Sequence, residues 1–180
     1  MFKKLEFITP TFMSVFGLFL SDPMREYHQR EVSRSAKVSV GSANRILKLL
    51  ADLGLLTRQR RGRMLLYKLN AGDPVVRQSK ALLNVYSLKP LLHAVRHHSR
   101  RIVLFGSSAQ GTDVKESDIA FFILTSEKDS VRNEISEFNR KSERKIAPII
   151  VDANEFVKLK RNDRALYENI ERGITLWQAE

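Results

Sequence analysis

Phe105-Gly106-Ser107-Ser108-Ala109-Gln110-Gly111-Thr112-Asp113-Val114-Lys115-Glu116-Ser117-Asp118-Ile119-Ala120 is the stretch of this 180-residue chain that decides its second half. Two glycines bracket a run of small residues, the signature of a tight turn that opens a helix. Ile102–Phe105 leads into the turn and reads as a buried strand, and Asp118–Leu124 reads as a second strand. Alternate residues of a strand share a face, so Asp118 and Ala120 point one way and Ile119 and Phe121 the other. Further on, residues 128–143 read as a charged amphipathic helix with a solvated face. Ile146–Val151 reads as a third strand, and residues 153–160 and 162–172 as helices ending at Gly173. The alternation predicts an α/β domain with a mixed sheet of three or four strands flanked by helices. Ile174, Leu176 and Trp177 read as a C-terminal packing contact.

The first half has a different texture. Residues 12–20 read as a short apolar helix broken by Pro23, and residues 29–36 as a second short helix. Ser39 is a suitable N-cap for a third, over 40–53, in which Ile46, Leu47, Leu50 and Leu53 recur at helical spacing. Its other face carries Ser42, Asn44, Arg45 and Lys48, and Gly54 follows where a left-handed residue is expected. Leu55–Leu69 then reads as a hairpin turning at Gly62, with Arg58, Arg60, Arg61 and Arg63 crowded at its tip. Pro74 suits the first turn of a long helix over 75–98, bent at Pro90.

Residues 28–69 resemble the winged helix-turn-helix domains of bacterial and archaeal transcription regulators. The stretch Arg30–Ser39 corresponds to the second helix and turn, and Ala43–Leu56 to the recognition helix and its exit into the wing. The small residues Gly41, Ser42 and Ala43 let a helix backbone enter a major groove. Asn44 suits adenine edges, Arg45 guanine or phosphate, and Lys48 phosphate. The wing arginines Arg58, Arg60, Arg61 and Arg63 suit the backbone or the minor groove. The resemblance implies double-stranded DNA as partner and a homodimer, for which the apolar face of Val75, Leu82, Leu83 and Tyr86 offers a seam.

The stretch 105–120 resembles the signature of the polymerase-beta-type nucleotidyltransferases, above all their minimal members. Gly106-Ser107, Ala109, Gly111 and Ser117-Asp118 match the pattern. The resemblance implies that Gly106 and Ser107 hold a nucleoside triphosphate and that Asp118 binds Mg2+. The family pattern also has a second aspartate two residues on and a third carboxylate on a later strand, which together would hold two metal ions. Alanine stands at 120, and Lys145–Val151 contains no acid. Asp113, Glu116 or Asp152 would have to substitute. Asp113 and Glu116 read as solvated loop acids and Asp152 as a helix cap. No catalytic residue is assigned, no cofactor is required, and Mg2+ with a triphosphate is expected only if the site is retained.

Charge separates the halves. Residues 1–98 hold seventeen Lys and Arg against six Asp and Glu, while residues 99–180 hold fourteen of each. The whole excess of +11 therefore lies in the first half, which points to a polyanionic partner there. The absence of cysteine excludes disulfide scaffolds and thiolate metal sites. Thr11–Leu20 is too short to cross a bilayer. Lys3 and Lys4 suit a signal peptide, but Glu6 and Pro10 interrupt it, so a buried first helix and a cytoplasmic protein are expected. His28, His93, His97 and His98 are assigned no role. Charged helices and missing cysteines fit an archaeal or thermophilic origin.

The expectation is a two-domain chain: a winged helix-turn-helix over 1–74, a helical linker over 75–98, and a nucleotidyltransferase-like domain over 99–180. Its function is expected to be DNA-binding regulation, with an inactive second domain that senses a ligand, binds a partner or dimerises. The alternative is an active Mg2+-dependent nucleotidyltransferase, modifying protein, RNA or a small molecule, guided by its winged helix and paired with a small helical partner protein.

Overall fold

The computed structural model describes residues 8–179. Lys3, Lys4 and Glu6, weighed above as parts of a signal peptide, lie outside them. The chain divides into two compact units, Met1–Ser79 and Lys80–Glu180.

In the first unit α1 (Pro10–Ser21) begins where the Thr9 hydroxyl accepts from the Phe12 amide at 3.2 Å. It buries Phe12, Val15, Phe16, Phe19 and Leu20. After β1 (Tyr27–His28) comes α2 (Gln29–Ser35), whose first turn is capped by His28: Nδ1 accepts from the Glu31 amide at 3.4 Å. The sequence reading left His28 without a role. Its part is local, because an imidazole nitrogen can satisfy an orphan helix amide. Lys37, at φ 53°, turns the chain, and the Ser33 hydroxyl donates to Val38 O at 2.6 Å. α3 (Val40–Asp52) starts under Ser39, which accepts from the Ser42 amide at 3.1 Å, and it buries Ala43, Ile46, Leu47 and Leu50. β2 (Leu56–Arg61) and β3 (Met64–Leu69) form the hairpin, with Gly62 at φ 59° supplying the left-handed turn position. The antiparallel sheet runs β1-β3-β2.

α4 (Pro74–Ser87) and α5 (Lys89–Val95) replace the single bent helix expected over 75–98. The break comes at Leu88 rather than Pro90. Proline has no amide to donate and collides with the preceding turn, so the helix restarts with Pro90 in its first turn. A single 3-10 turn, Arg96–His98, follows.

The second unit is built on a sheet of order β6-β5-β4-β7. β4 (Arg101–Leu104) lies antiparallel to β5 (Ile119–Leu124) and to β7 (Ile174–Gln178), and β6 (Ile146–Val151) lies parallel to β5. β7 corrects the sequence reading, which took Ile174 to Trp177 as a packing contact. Pro148 is tolerated because β6 is an edge strand. One sheet face buries Ile102, Leu104, Ile119, Phe121 and Ile123 against Leu91 of α5 and Val131 and Ile135 of α7 (Lys128–Lys141). The other buries Val103, Phe105 and Phe122 against Phe156 and Leu159 of α8 (Ala153–Asn162) and Leu166 and Ile170 of α9 (Arg164–Glu171). α6 (Ser107–Gln110) is a single turn after β4. Among the described residues no helix is long and apolar enough to cross a membrane.

Candidate functional site

Two places in the fold carry the residues singled out from the sequence. The first is a cleft of about 510 Å3 in the first unit, between the helices and the hairpin. α3 contributes Asn44 and Lys48, one turn apart on one face. The hairpin contributes Arg58 and Arg63, with Met64, Leu65 and Tyr67. The segment entering α2 contributes His28, Gln29 and Arg30. Four cations thus meet there, and none of the lining residues is acidic.

The other expected contacts lie outside this lining. Ser42 receives a hydrogen bond from the Ser39 hydroxyl at 2.9 Å and belongs to the cap of α3. Arg45 and Arg60 are exposed elsewhere. Arg61 is held by Glu26, with both guanidinium–carboxylate contacts at 3.1 Å. Strand alternation accounts for Arg61: Arg58 faces the same side as Leu56 and the buried Tyr67, and Arg61 the opposite side. Arg30 and Tyr67 were missed in the sequence. Tyr67 stands directly across from Arg58 in the hairpin register, a pairing readable only once the turn is placed.

The second place is the glycine-serine turn. Gly106 has φ 68° and ψ −152°, a conformation essentially reserved for glycine. A Cβ there would stand 3.6 Å from that of Ala120, so the turn lies directly over β5. The amides of Ala109 and Gln110 both donate to Gly106 O at 3.1 Å. Ser107 is exposed at the start of α6. Asp118 is exposed, and its side chain has no hydrogen bond or ion pair among the described residues. In the register of the parallel strands Ala120 pairs with Ala147. Alanine thus stands at both of these register partners, and Ala120 packs against the Val103, Phe105 and Phe122 cluster.

The substitute acids fare differently from one another. Asp113 is not a solvated loop acid: it is 2% exposed. Arg144 Nη1 lies 3.0 Å and Lys80 Nζ 3.4 Å from its Oδ2, and Asn84 donates to Oδ1 at 3.0 Å. Arg144 also donates to Asn84 Oδ1, the Ser108 hydroxyl and Ser117 O, so it ties α6 and the loop before β5 to α4. Burial outweighs the attraction of Asp113 and holds the Lys80 ammonium below its usual pKa. Asp152 forms a reciprocal capping box with Glu155 on α8, and its hydrogen bond from Lys128 holds it below the usual carboxylate range. It follows β6, whereas Asp118 precedes the parallel β5, so a strand length of about 20 Å separates them. Glu116 remains exposed in the loop.

Among the described residues no group of three or more His, Asp or Glu side chains could hold a metal ion. A two-metal centre would need a second carboxylate beside Asp118, and position 120 holds alanine.

Residues 88–175 match the family model of the nucleotidyltransferase domain. The C-terminal part of the chain thus carries a nucleotidyltransferase-type domain, with its glycine-serine turn and Asp118 inside the matched span. Among solved structures, a mutant of the toxin–antitoxin MntA–HpeT is 20% identical over 53% of this chain and 74% of that one, with a TM-score of 0.38. An IclR family transcriptional regulator from Brucella abortus is 14% identical over 94% of this chain and 70% of that one, with a TM-score of 0.35. Likeness at that level fixes neither activity nor partner. No curated protein matches the chain.

Proposed function

We propose that the protein is a cytoplasmic DNA-binding regulator. On this reading its first unit is a winged helix-turn-helix, and its nucleotidyltransferase domain serves as a ligand-sensing, partner-binding or dimerisation module. The observation that carries the reading is the meeting of Arg30, Lys48, Arg58 and Arg63 in one cleft with no acid in its lining. Phosphate contacts by such cations dominate affinity for a duplex. The element order α1-β1-α2-α3-β2-β3, with the hairpin beside α3, supports the winged-helix reading. Loss of transfer chemistry is supported by Ala120 and Ala147, which leave Asp118 without a partner carboxylate.

The second reading is an active nucleotidyltransferase guided by the first unit and paired with a small helical protein. The family match over 88–175 speaks for this reading more directly than for DNA binding. Two measurements separate them. Fluorescence anisotropy with a labelled duplex should give binding that weakens steeply with salt. Incubation with Mg2+ and each labelled triphosphate should give no transfer to protein, RNA or small-molecule acceptors. Transfer by the unmodified protein that disappears in Asp118→Ala would establish the second reading and sink the inactive one.

A further inference from the structure

The floor of the basic cleft holds a residue that the charge pattern does not reveal. Tyr67 sits on β3, the central strand, flanked in register by Tyr27 on one side and Arg58 on the other. Its side chain is almost wholly enclosed, at 3% exposure, yet it lines the cleft. Its hydroxyl has no hydrogen-bond partner among the described residues. Nor is it sealed away: among the described residues the one fully enclosed side-chain polar atom without a partner is Arg101 Nε, in the second unit. Tyr67 thus lines the cleft, and its phenol oxygen keeps contact with solvent.

The hydroxyl is open to solvent and engaged by no other described residue, so it is available to an acceptor that enters the cleft. The charged groups lining the cleft are all donors, since Arg30, Lys48, Arg58 and Arg63 can accept nothing, while the Asp52 carboxylate acts on Tyr67 from outside that lining. An oxygen that accepts from a phenol and from guanidinium groups together, while carrying the charge to balance them, is an anionic phosphate oxygen. Phosphates are the outermost groups of a duplex, whereas base edges lie within its grooves and cannot reach a recessed floor. Burial also raises the Tyr67 pKa, which keeps the hydroxyl a donor through the neutral range.

We infer that Tyr67 is a further DNA-binding residue, whose hydroxyl donates to one backbone phosphate drawn into the cleft beside Arg58. The inference rests on the DNA-binding reading of this cleft. It makes the cleft a sequence-independent anchor.

The test uses the full chain, a fluorescein-labelled duplex of mixed sequence, and a salt series. Tyr67→Phe keeps the buried ring and removes only the hydroxyl. It should weaken binding about tenfold at every salt concentration and leave the salt slope unchanged, because no charge is lost. Arg58→Ala should instead lower the slope by about one. The thermal midpoint of Tyr67→Phe should equal or exceed that of the unmodified protein, since no internal hydrogen bond is broken. Unmodified protein that fails to bind the duplex sinks the DNA-binding reading and this inference with it. Binding by the unmodified protein that Tyr67→Phe leaves intact overturns this inference alone. A loss confined to particular duplex sequences, or a lowered thermal midpoint, overturns it as well.

Discussion

Asp113 is a buried carboxylate set between two cations, and its energetics are asymmetric. Removing its charge takes away the carboxylate that Lys80 and Arg144 both face. Breaking a buried pair from one side costs about 3–5 kcal/mol. Asp113→Asn should therefore lower the urea midpoint by an amount in that range, whereas Lys80→Met should cost less, because Asp113 keeps Arg144 and Asn84. Equal losses would refute the arrangement. The pH dependence has a definite sign. Lys80 holds its proton less tightly in the folded chain than its ordinary value of 10.5. Between those two values the unfolded chain binds more protons, so stability rises with pH. The unmodified protein should gain on Lys80→Met as pH climbs toward 10.5 and lose that gain as pH falls below the folded value. None of this was legible in the sequence. Asp113 looks like a loop acid because its partners lie 33 residues before it and 31 after it.

At the scale of elements, glycine substitutions separate two kinds of position. Gly173 joins α9 to β7, and a Cβ there would stand 2.5 Å from Leu104 O and 2.6 Å from Val103 Cγ1. Both neighbours belong to the central strand β4 and cannot step aside cheaply. Gly173→Ala should cost about 1–3 kcal/mol or more and lower the thermal midpoint by several degrees. Gly17 lies inside α1, and a Cβ there meets nothing within 4 Å. Gly17→Ala should stabilise by about 1 kcal/mol, since alanine is the better helix former. The same substitution thus has opposite signs, and a shared sign would count against the packing described. Elements with local signatures were readable: Ser39 and Gly54 bound α3, Gly62 turns the hairpin, and Asp152 caps α8. β7 was not. Ile174–Gln178 is short, and its pairing partner Arg101–Leu104 lies some 70 residues earlier, so only tertiary pairing makes it a strand. The same limit hid Ala147. Its lack of charge was visible, but its place opposite Ala120 is a matter of register.

At the scale of the whole molecule, the charge excess of residues 1–98 overstates the number of cations that act together, because geometry divides them. Arg30, Lys48, Arg58 and Arg63 share the cleft, while Arg61 is held by Glu26. Each phosphate neutralised contributes about 0.9 to the slope of log K against log salt. Four cleft cations therefore account for a slope of roughly 3.6 in magnitude. Replacing all four by alanine in the full chain should remove about that much, while Arg61→Ala should change it far less, its charge being already offset. Asp118→Ala and Ala120→Asp, in the nucleotidyltransferase domain, should leave the slope where it is. Anisotropy titrations of the five proteins over one salt series decide the matter. If every arginine lost from the first half lowers the slope equally, the excess charge acts as a diffuse field and the cleft has no special part. If the four-alanine variant keeps the full slope, the phosphates are gripped elsewhere. A slope lost only with the cleft cations ties the charge asymmetry of the sequence to one surface of the first unit.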